Sequence, residues 1–293
     1  MNKPFLRNYR LRFSLRNMLV VLVLISLSFG LLWQKWWIPW QRQMRAVRLI
    51  DSRVNVGGIE FGNRRYEPID DLPMWKKTLA NWLGRDSVAR VTLAFSEGTG
   101  EFIDISCWKD LPSVERVVFD RALVKDLSPI AGFRKLKEFK IYQTGSNLEP
   151  GNAGLEVLGT CPNLETIHLT SCRFPMNDET LDSVCNARSI RKLRFDPRDC
   201  TNLKPLLQLH QLEDLEIRLY TAPYRTDLDL IEKLSGLKNL SITISYRSDI
   251  ELDFGFLSGL SQLETCRIAA KVTDEQQLLI RNQLPANCTL TFD

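Results

Sequence analysis

The sequence has little histidine, two residues in 293, and no Cys-x-x-Cys pair among its seven cysteines. Both shortages count against a zinc site, which clusters such ligands. A hydrolytic triad needs an imidazole held by a carboxylate beside a Ser or Cys. Here His168 has only Ser171 and Cys172 near it in sequence, and His210 reads as a turn residue. The chain is therefore expected to be non-enzymatic, without catalytic residues, metal or cofactor. No glycine-rich phosphate loop occurs either, since Gly98-Thr99-Gly100 alone reads as a turn. Acid is missing from the first fifty residues, which hold nine of the 39 Lys and Arg. The other 30 share residues 51–293 with all 35 acidic residues. The bulk of the chain is thus net acidic with interspersed arginines, a poor match to nucleic acid. Disorder is excluded by an apolar content of 44%.

Charge is absent again between Arg16 and Lys35, where Met18 to Trp33 is apolar apart from Ser26, Ser28 and Gly30. A helix extended from Met18 to Ile38 reaches the roughly 20 residues needed to cross about 30 Å of hydrocarbon. Trp33, Trp36, Trp37 and Trp40 supply an interfacial aromatic belt, and Lys35 can extend its ammonium toward water. Pro39 ends or kinks the helix. A cleaved signal peptide shares the basic start and apolar centre, but has a shorter apolar run and an A-x-A-like site. A buried core helix would leave Lys35 without a partner. The expectation is a basic cytoplasmic tail (1–16) and a single-pass anchor in the lipid bilayer (17–40). Lys3, Arg7, Arg10, Arg12 and Arg16 before the span outnumber Lys35, Arg42, Arg45 and Arg48 after it. That excess places the N-terminus in the cytoplasm and the remainder outside the membrane.

Beyond residue 80 the chain repeats itself. Apolar residues recur at offsets 0, 3, 6, 9 and 11, as in Leu158, Cys161, Leu164, Ile167 and Leu169, then Leu206, Leu209, Leu212, Leu215 and Ile217. Full matches also begin at Trp108, Ile130, Val184, Ile231 and Leu257, with weaker copies at Trp82 and before Phe292. The residues at offset 9 are 91, 117, 139, 167, 193, 215, 240, 266 and 290, spaced 22 to 28 apart. Offsets 9 and 11 have the period of a strand with one face inward. One such strand cannot bury its own inner face, so successive units must stack into a parallel sheet. Helical returns are expected at Asp178 to Val184, Thr226 to Leu234 and Thr273 to about Gln283, and a turn or 3₁₀ segment in the two 22-residue steps. Cys161, Cys172 and Cys266 occupy small buried positions, which favours reduced core thiols over ligands or disulfides.

Leu164-x-x-Ile167-x-Leu169-x-x-Cys172 resembles the leucine-rich repeat. A basic start with Phe13-Ser14-Leu15-Arg16 precedes one span and is followed by expected helices at about Gln41 to Asp51 and at Trp75 to Leu83. Together with a short strand around Gly57 to Phe61, this whole-chain layout resembles bacterial membrane-anchored leucine-rich-repeat proteins. The resemblance implies a binding scaffold, and an α/β leucine-rich-repeat solenoid with its parallel sheet on the concave face, preceded by one transmembrane helix. On that plan residues 41–81 form a juxtamembrane helix, linker and N-terminal cap, with 54–74 as the linker. Residues 82–293 form about nine repeats.

Offsets 8, 10 and 12 then face outward from the sheet. They bring Arg116, Lys140, Tyr142, His168, Lys192, Arg194, Glu216, Arg218 and Arg267 onto one surface, the candidate site for an unknown protein or peptide partner. A structural envelope spacer without a specific ligand is the alternative, and an enzyme with a site in the cap is a third reading.

Overall fold

The computed structural model describes residues 15–38, 41–46, 56–61, 64–65, 88–94, 104–111, 113–120, 124, 126–142, 154–170, 177–197, 200–219, 228–244 and 254–293. The chain forms two compact units, Met1–Arg45 and Ala46–Asp293. The tail before Leu15, the Trp75 to Leu83 helix, Cys172 and most of the proposed linker lie outside the described residues.

In the first unit, α1 (Leu15–Leu32) continues through a π-helical turn at Trp33–Trp37 to Ile38, so the apolar run is one helical rod. Its window Met18–Lys35 has a mean hydropathy of 1.9, and none of it is buried. By length and composition it is a candidate membrane span. The Ser28 hydroxyl donates to the Leu24 carbonyl at 2.8 Å, which satisfies one polar group within the apolar stretch. Residues 41–46 are also helical.

Among the described residues, the second unit is a solenoid built on one sheet of eleven strands. Nine of them run parallel in chain order: β3 (Val88–Ala94), β4 (Arg116–Asp120), β5 (Glu138–Tyr142), β6 (Thr166–Thr170), β7 (Lys192–Phe195), β8 (Asp214–Leu219), β9 (Asn239–Ile244), β10 (Thr265–Ala269) and β11 (Thr289–Phe292). The residues at offset 9 are paired all the way along, from Val91 with Val117 to Cys266 with Leu290. Two further strands, β1 (Val56–Phe61) and β2 (Arg64–Arg65), lie beyond β3, and β1 pairs antiparallel with both. β1 is the short strand expected around Gly57 to Phe61, and with residues 64–65, inside the stretch read as a linker, it covers the N-terminal edge of the sheet.

The apolar spacing of three has a direct cause. In each of the seven full units the amide at offset 3 donates to the carbonyl at offset 0, and the amide at offset 6 to that at offset 3, as in Leu111 to Trp108 (2.7 Å) and Val114 to Leu111 (3.3 Å). Consecutive i to i+3 turns place every third side chain on one side. The strand follows and adds offsets 9 and 11. Each residue at these five offsets in the seven units is at most 7% exposed. At the N-terminal end of the core Trp108 stacks on Phe119 at 5.4 Å, and Phe119 meets Phe139 edge-on at 5.8 Å. In the last unit Leu284, Leu290 and Phe292 are only half-buried.

Returns to the next strand are mostly 3₁₀. Such segments lie at Ser106–Asp110, Ser128–Ile130, Leu155–Thr160, Lys204–Gln208, Leu228–Lys233 and Gly255–Gly259. Asp104, Asp126 and Asn202 start three of them by accepting the amide two residues on, at 2.8 to 2.9 Å. Among the described returns, α2 (Asp178–Cys185) and α3 (Asp274–Gln283) are α-helical, the latter with a full capping box at Thr273 and Gln276. The helix expected at Thr226 to Leu234 is instead 3₁₀ over Leu228–Lys233. Its buried residues, Leu228, Leu230 and Ile231, suit a three-residue turn better than a helical stripe.

Neighbouring units are also tied at the entry to each strand. The carbonyl of Glu115 accepts from Lys137 and Glu138, and that of Lys137 from Glu165 and Thr166. The same forked bond recurs at Glu165, Arg191, Glu213 and Lys238, with separations of 2.7 to 3.1 Å across the six. Along this line Glu115, Lys137, Glu165, Arg191, Glu213, Lys238 and Glu264 alternate in sign. Ion pairs join Lys137 to Glu115 at 3.2 Å, Arg191 to Glu213 at 3.3 Å and Lys238 to Glu213 at 3.6 Å.

Candidate functional site

The outward face of the sheet consists of three rows, one for each of offsets 8, 10 and 12. Because the register is unbroken, the central row reads Val118, Lys140, His168, Arg194, Glu216, Ser241 and Arg267 on successive strands from β4 to β10. One flanking row contains Arg116, Glu138, Thr166, Lys192, Asp214, Asn239 and Thr265. The other includes Asp120, Tyr142 and Thr170, and then Arg218, Thr243 and Ala269. All nine candidate residues therefore stand on one surface.

Their charges largely satisfy one another. Glu138 pairs with both Arg116 and Lys140. Glu216 sits between Arg194 at 2.8 Å and Arg218 at 3.0 Å. Lys192 approaches Asp214 at 3.7 Å, and Arg267 pairs with Asp293. Glu138, Asp214 and Asp293 were absent from the candidate set, although the first two share an offset with the cations opposite them, a signal available from spacing alone. Adjacent parallel strands set these pairs at about 4.8 Å, close enough to hold two side chains together.

Burial divides the face. Lys192 and Arg267 are exposed, whereas the central side chains of Lys140, Arg194, Glu216 and Arg218 are between 21% and 26% exposed. Burial and Asp214 push Glu216 up, to about 7, while the Arg267 guanidinium pulls the other way. Its ion pairs with Arg194 and Arg218 also oppose the rise. His168 is half-buried: its ring meets Tyr142 edge-on at 5.0 Å, and Nδ1 lies 3.3 Å from the phenol oxygen. Burial, followed by the charges of Lys140 and Arg218, holds its pKa down to about 4. At neutral pH the imidazole is uncharged. Among the described residues, His168 Nε2 and Arg194 Nε are buried without a hydrogen-bond partner.

The thiols belong to the core. Cys161, Cys185, Cys200 and Cys266 are buried, and Cys107 and Cys288 half-buried, none of the six in a disulfide. Burial raises Cys185 and Cys266 to about 12, which keeps both as unreactive thiols. Among the described residues no three His, Cys, Asp or Glu side chains cluster as metal ligands. His210 is exposed in a turn.

No protein-family model and no curated protein matches the sequence. Among solved structures, the chain is similar to internalin C2 from Listeria monocytogenes at 18% identity and a TM-score of 0.47, over 73% of this chain and 83% of that one. A second internalin from the same organism, inlF, aligns at 18% identity and a TM-score of 0.41, over 64% of this chain and 58% of its own. The strand register itself defines the solenoid.

Proposed function

We propose that the chain is a single-pass membrane-anchored leucine-rich-repeat scaffold that binds a protein partner through the outward face of its sheet. The observation that carries this reading is the unbroken register from β4 to β10, which aligns Lys140, Tyr142, His168, Arg194, Glu216, Arg218 and Arg267 on one face. A preorganised surface loses little conformational freedom on binding. The apolar rod supports the anchor: its side chains from Met18 to Leu31 are 45% to 67% exposed wherever large and apolar, a surface that water does not tolerate. On this reading residues 17–40 lie in the bilayer, 1–16 are cytoplasmic, and the repeats from 82 to 293 stand on the other side.

Site-specific photo-crosslinking in cells tests the proposal. A crosslinker at Lys140 or Lys192 is expected to capture a discrete protein, and one at Glu232, on the 3₁₀ side, is not. External protease on intact cells is expected to digest the repeats. Repeats cleaved only after lysis would reverse the orientation.

The mutual pairing of Arg116, Glu138 and Lys140, and of Arg194, Glu216 and Arg218, favours a second reading, a spacer whose face is simply solvated. Equal, diffuse crosslinking from both sides of the solenoid would support the spacer.

A further inference from the structure

We propose that the centre of this face is a carboxylate-binding site, formed by His168 and Arg194 within the field of Lys140 and Arg218, which selects partners bearing acidic side chains. The inference rests on the reading that the face binds protein and names the chemistry it recognises.

The argument begins with two donors. His168 on β6 and Arg194 on β7 are register partners, so their side chains leave the sheet side by side. Arg194 commits its Nη2 to Glu216 at 2.8 Å, but its Nε–H has no acceptor among the described residues. For His168, we assign the phenol of Tyr142, the stronger donor, to Nδ1 at 3.3 Å. That tautomer leaves the imidazole hydrogen on Nε2, which also lacks a partner among the described residues. Two N–H groups on register partners without acceptors are costly, and an incoming carboxylate offers both an acceptor.

Charge in the central row points the same way. In that row Lys140 and Arg194 flank His168 on the two neighbouring strands; Lys140 shares Glu138 with Arg116, Arg194 pairs with Glu216, and Arg267 with Asp293. In the other flanking row Arg218 stands with Asp120, and Asp196 just beyond β7 is 9% exposed. The face as a whole is therefore near neutral, and the two side chains that flank His168 in its row are both cationic. That arrangement favours an anion placed over His168 and Arg194 and offers a broad anionic surface much less. A neutral imidazole suits this position, because it donates a hydrogen bond without adding a further charge between Lys140 and Arg218.

The test uses the full chain in phosphatidylcholine nanodiscs and a fluorescent hexaglutamate peptide capped at both ends, so that side-chain carboxylates are its only anions. Fluorescence anisotropy at low salt is expected to show saturable binding that weakens with added salt. Capped hexaserine and hexalysine are expected not to bind. Arg194→Lys keeps the charge but removes the Nε–H, and His168→Phe keeps a ring against Tyr142 but removes Nε2. Each is expected to weaken hexaglutamate binding about fivefold or more, against less than about twofold for Lys233→Gln on the 3₁₀ side of the solenoid. A second readout uses only the unmutated protein: with ¹³C-labelled histidine, hexaglutamate is expected to raise the pKa of His168, as a bound carboxylate must. Hexalysine binding as well as hexaglutamate, or an unmoved His168 titration at saturating peptide, would overturn the proposal. If hexaglutamate fails while crosslinks from Lys140 persist, carboxylate selection falls and the face remains an interface. If both fail, the scaffold reading falls with it.

Discussion

A Cβ atom on Gly159 would lie 1.9 Å from the carbonyl oxygen of Ser183. Gly159 belongs to the 3₁₀ segment Leu155–Thr160, and Ser183 to α2 in the next unit, so the backbones of successive turns touch there. Gly159→Ala must push two units apart, and is expected to cost about 2 kcal/mol or more. At Gly236 the nearest atom to an added Cβ is 3.7 Å away, and Gly236→Ala is expected to change stability by less than about 1 kcal/mol. Thermal melts of the two variants check the contrast, and equal melting temperatures would refute the contact.

Leu164 is fully buried at offset 6, and Glu165, one residue on, is exposed. Leu164→Asp is expected to destabilise by on the order of 4 kcal/mol by leaving a carboxylate in the core, and Glu165→Ala by less than about 0.5 kcal/mol. Denaturant titration distinguishes the two, and similar midpoints would mean that the offsets are misassigned.

The depressed pKa of His168 sets the sign of one pH effect. Its folded value of about 4 lies below the ordinary 6.5, so the unfolded chain binds this proton more readily. The contribution is fully present above pH 6.5 and is lost as pH falls toward 4. Glu216, raised to about 7 from 4.5, acts oppositely and loses stability as pH rises through that window. Replacement isolates one from the other: His168→Gln is expected to lose less stability than the unmutated protein between pH 6.5 and 4. Parallel pH profiles for both proteins would remove this role from His168.

Four thiols are shut away from solvent and two of them are raised to about 12 by burial. Iodoacetamide at pH 8 is accordingly expected to spare Cys161, Cys185, Cys200 and Cys266 in the folded protein and to modify all four after denaturation. Peptide mass spectrometry without reduction reads the outcome, and linked cysteine pairs would contradict a core without disulfides.

The solenoid was legible because its core rule is local: every third residue turns inward, then every second, and this needs no knowledge of distant contacts. The ion pairs were half legible. Arg194 and Glu216 share an offset, so counting alone sets them opposite, whereas Glu138 serves two cations, which no offset reveals. The contact between Tyr142 and His168 runs diagonally from offset 12 to offset 10, and depends on how both side chains turn. The choice between helix and 3₁₀ return was hardest, since both start from the same capping residues. In α2 the buried set Thr180, Leu181, Val184 and Cys185 has helical spacing, while Leu228, Leu230 and Ile231 do not. Acidic starts at both places concealed that difference.

The alternating line from Glu115 to Glu264 gives the stack an even-odd rule. Excising the single turn that carries Arg191 would bring Glu165 against Glu213, whereas excising two consecutive turns would restore opposite neighbours. Growth or shrinkage of this array by pairs is thus electrostatically silent, and by single turns it is not. The same parity penalises a chain that misfolds by slipping one unit along its own ladder.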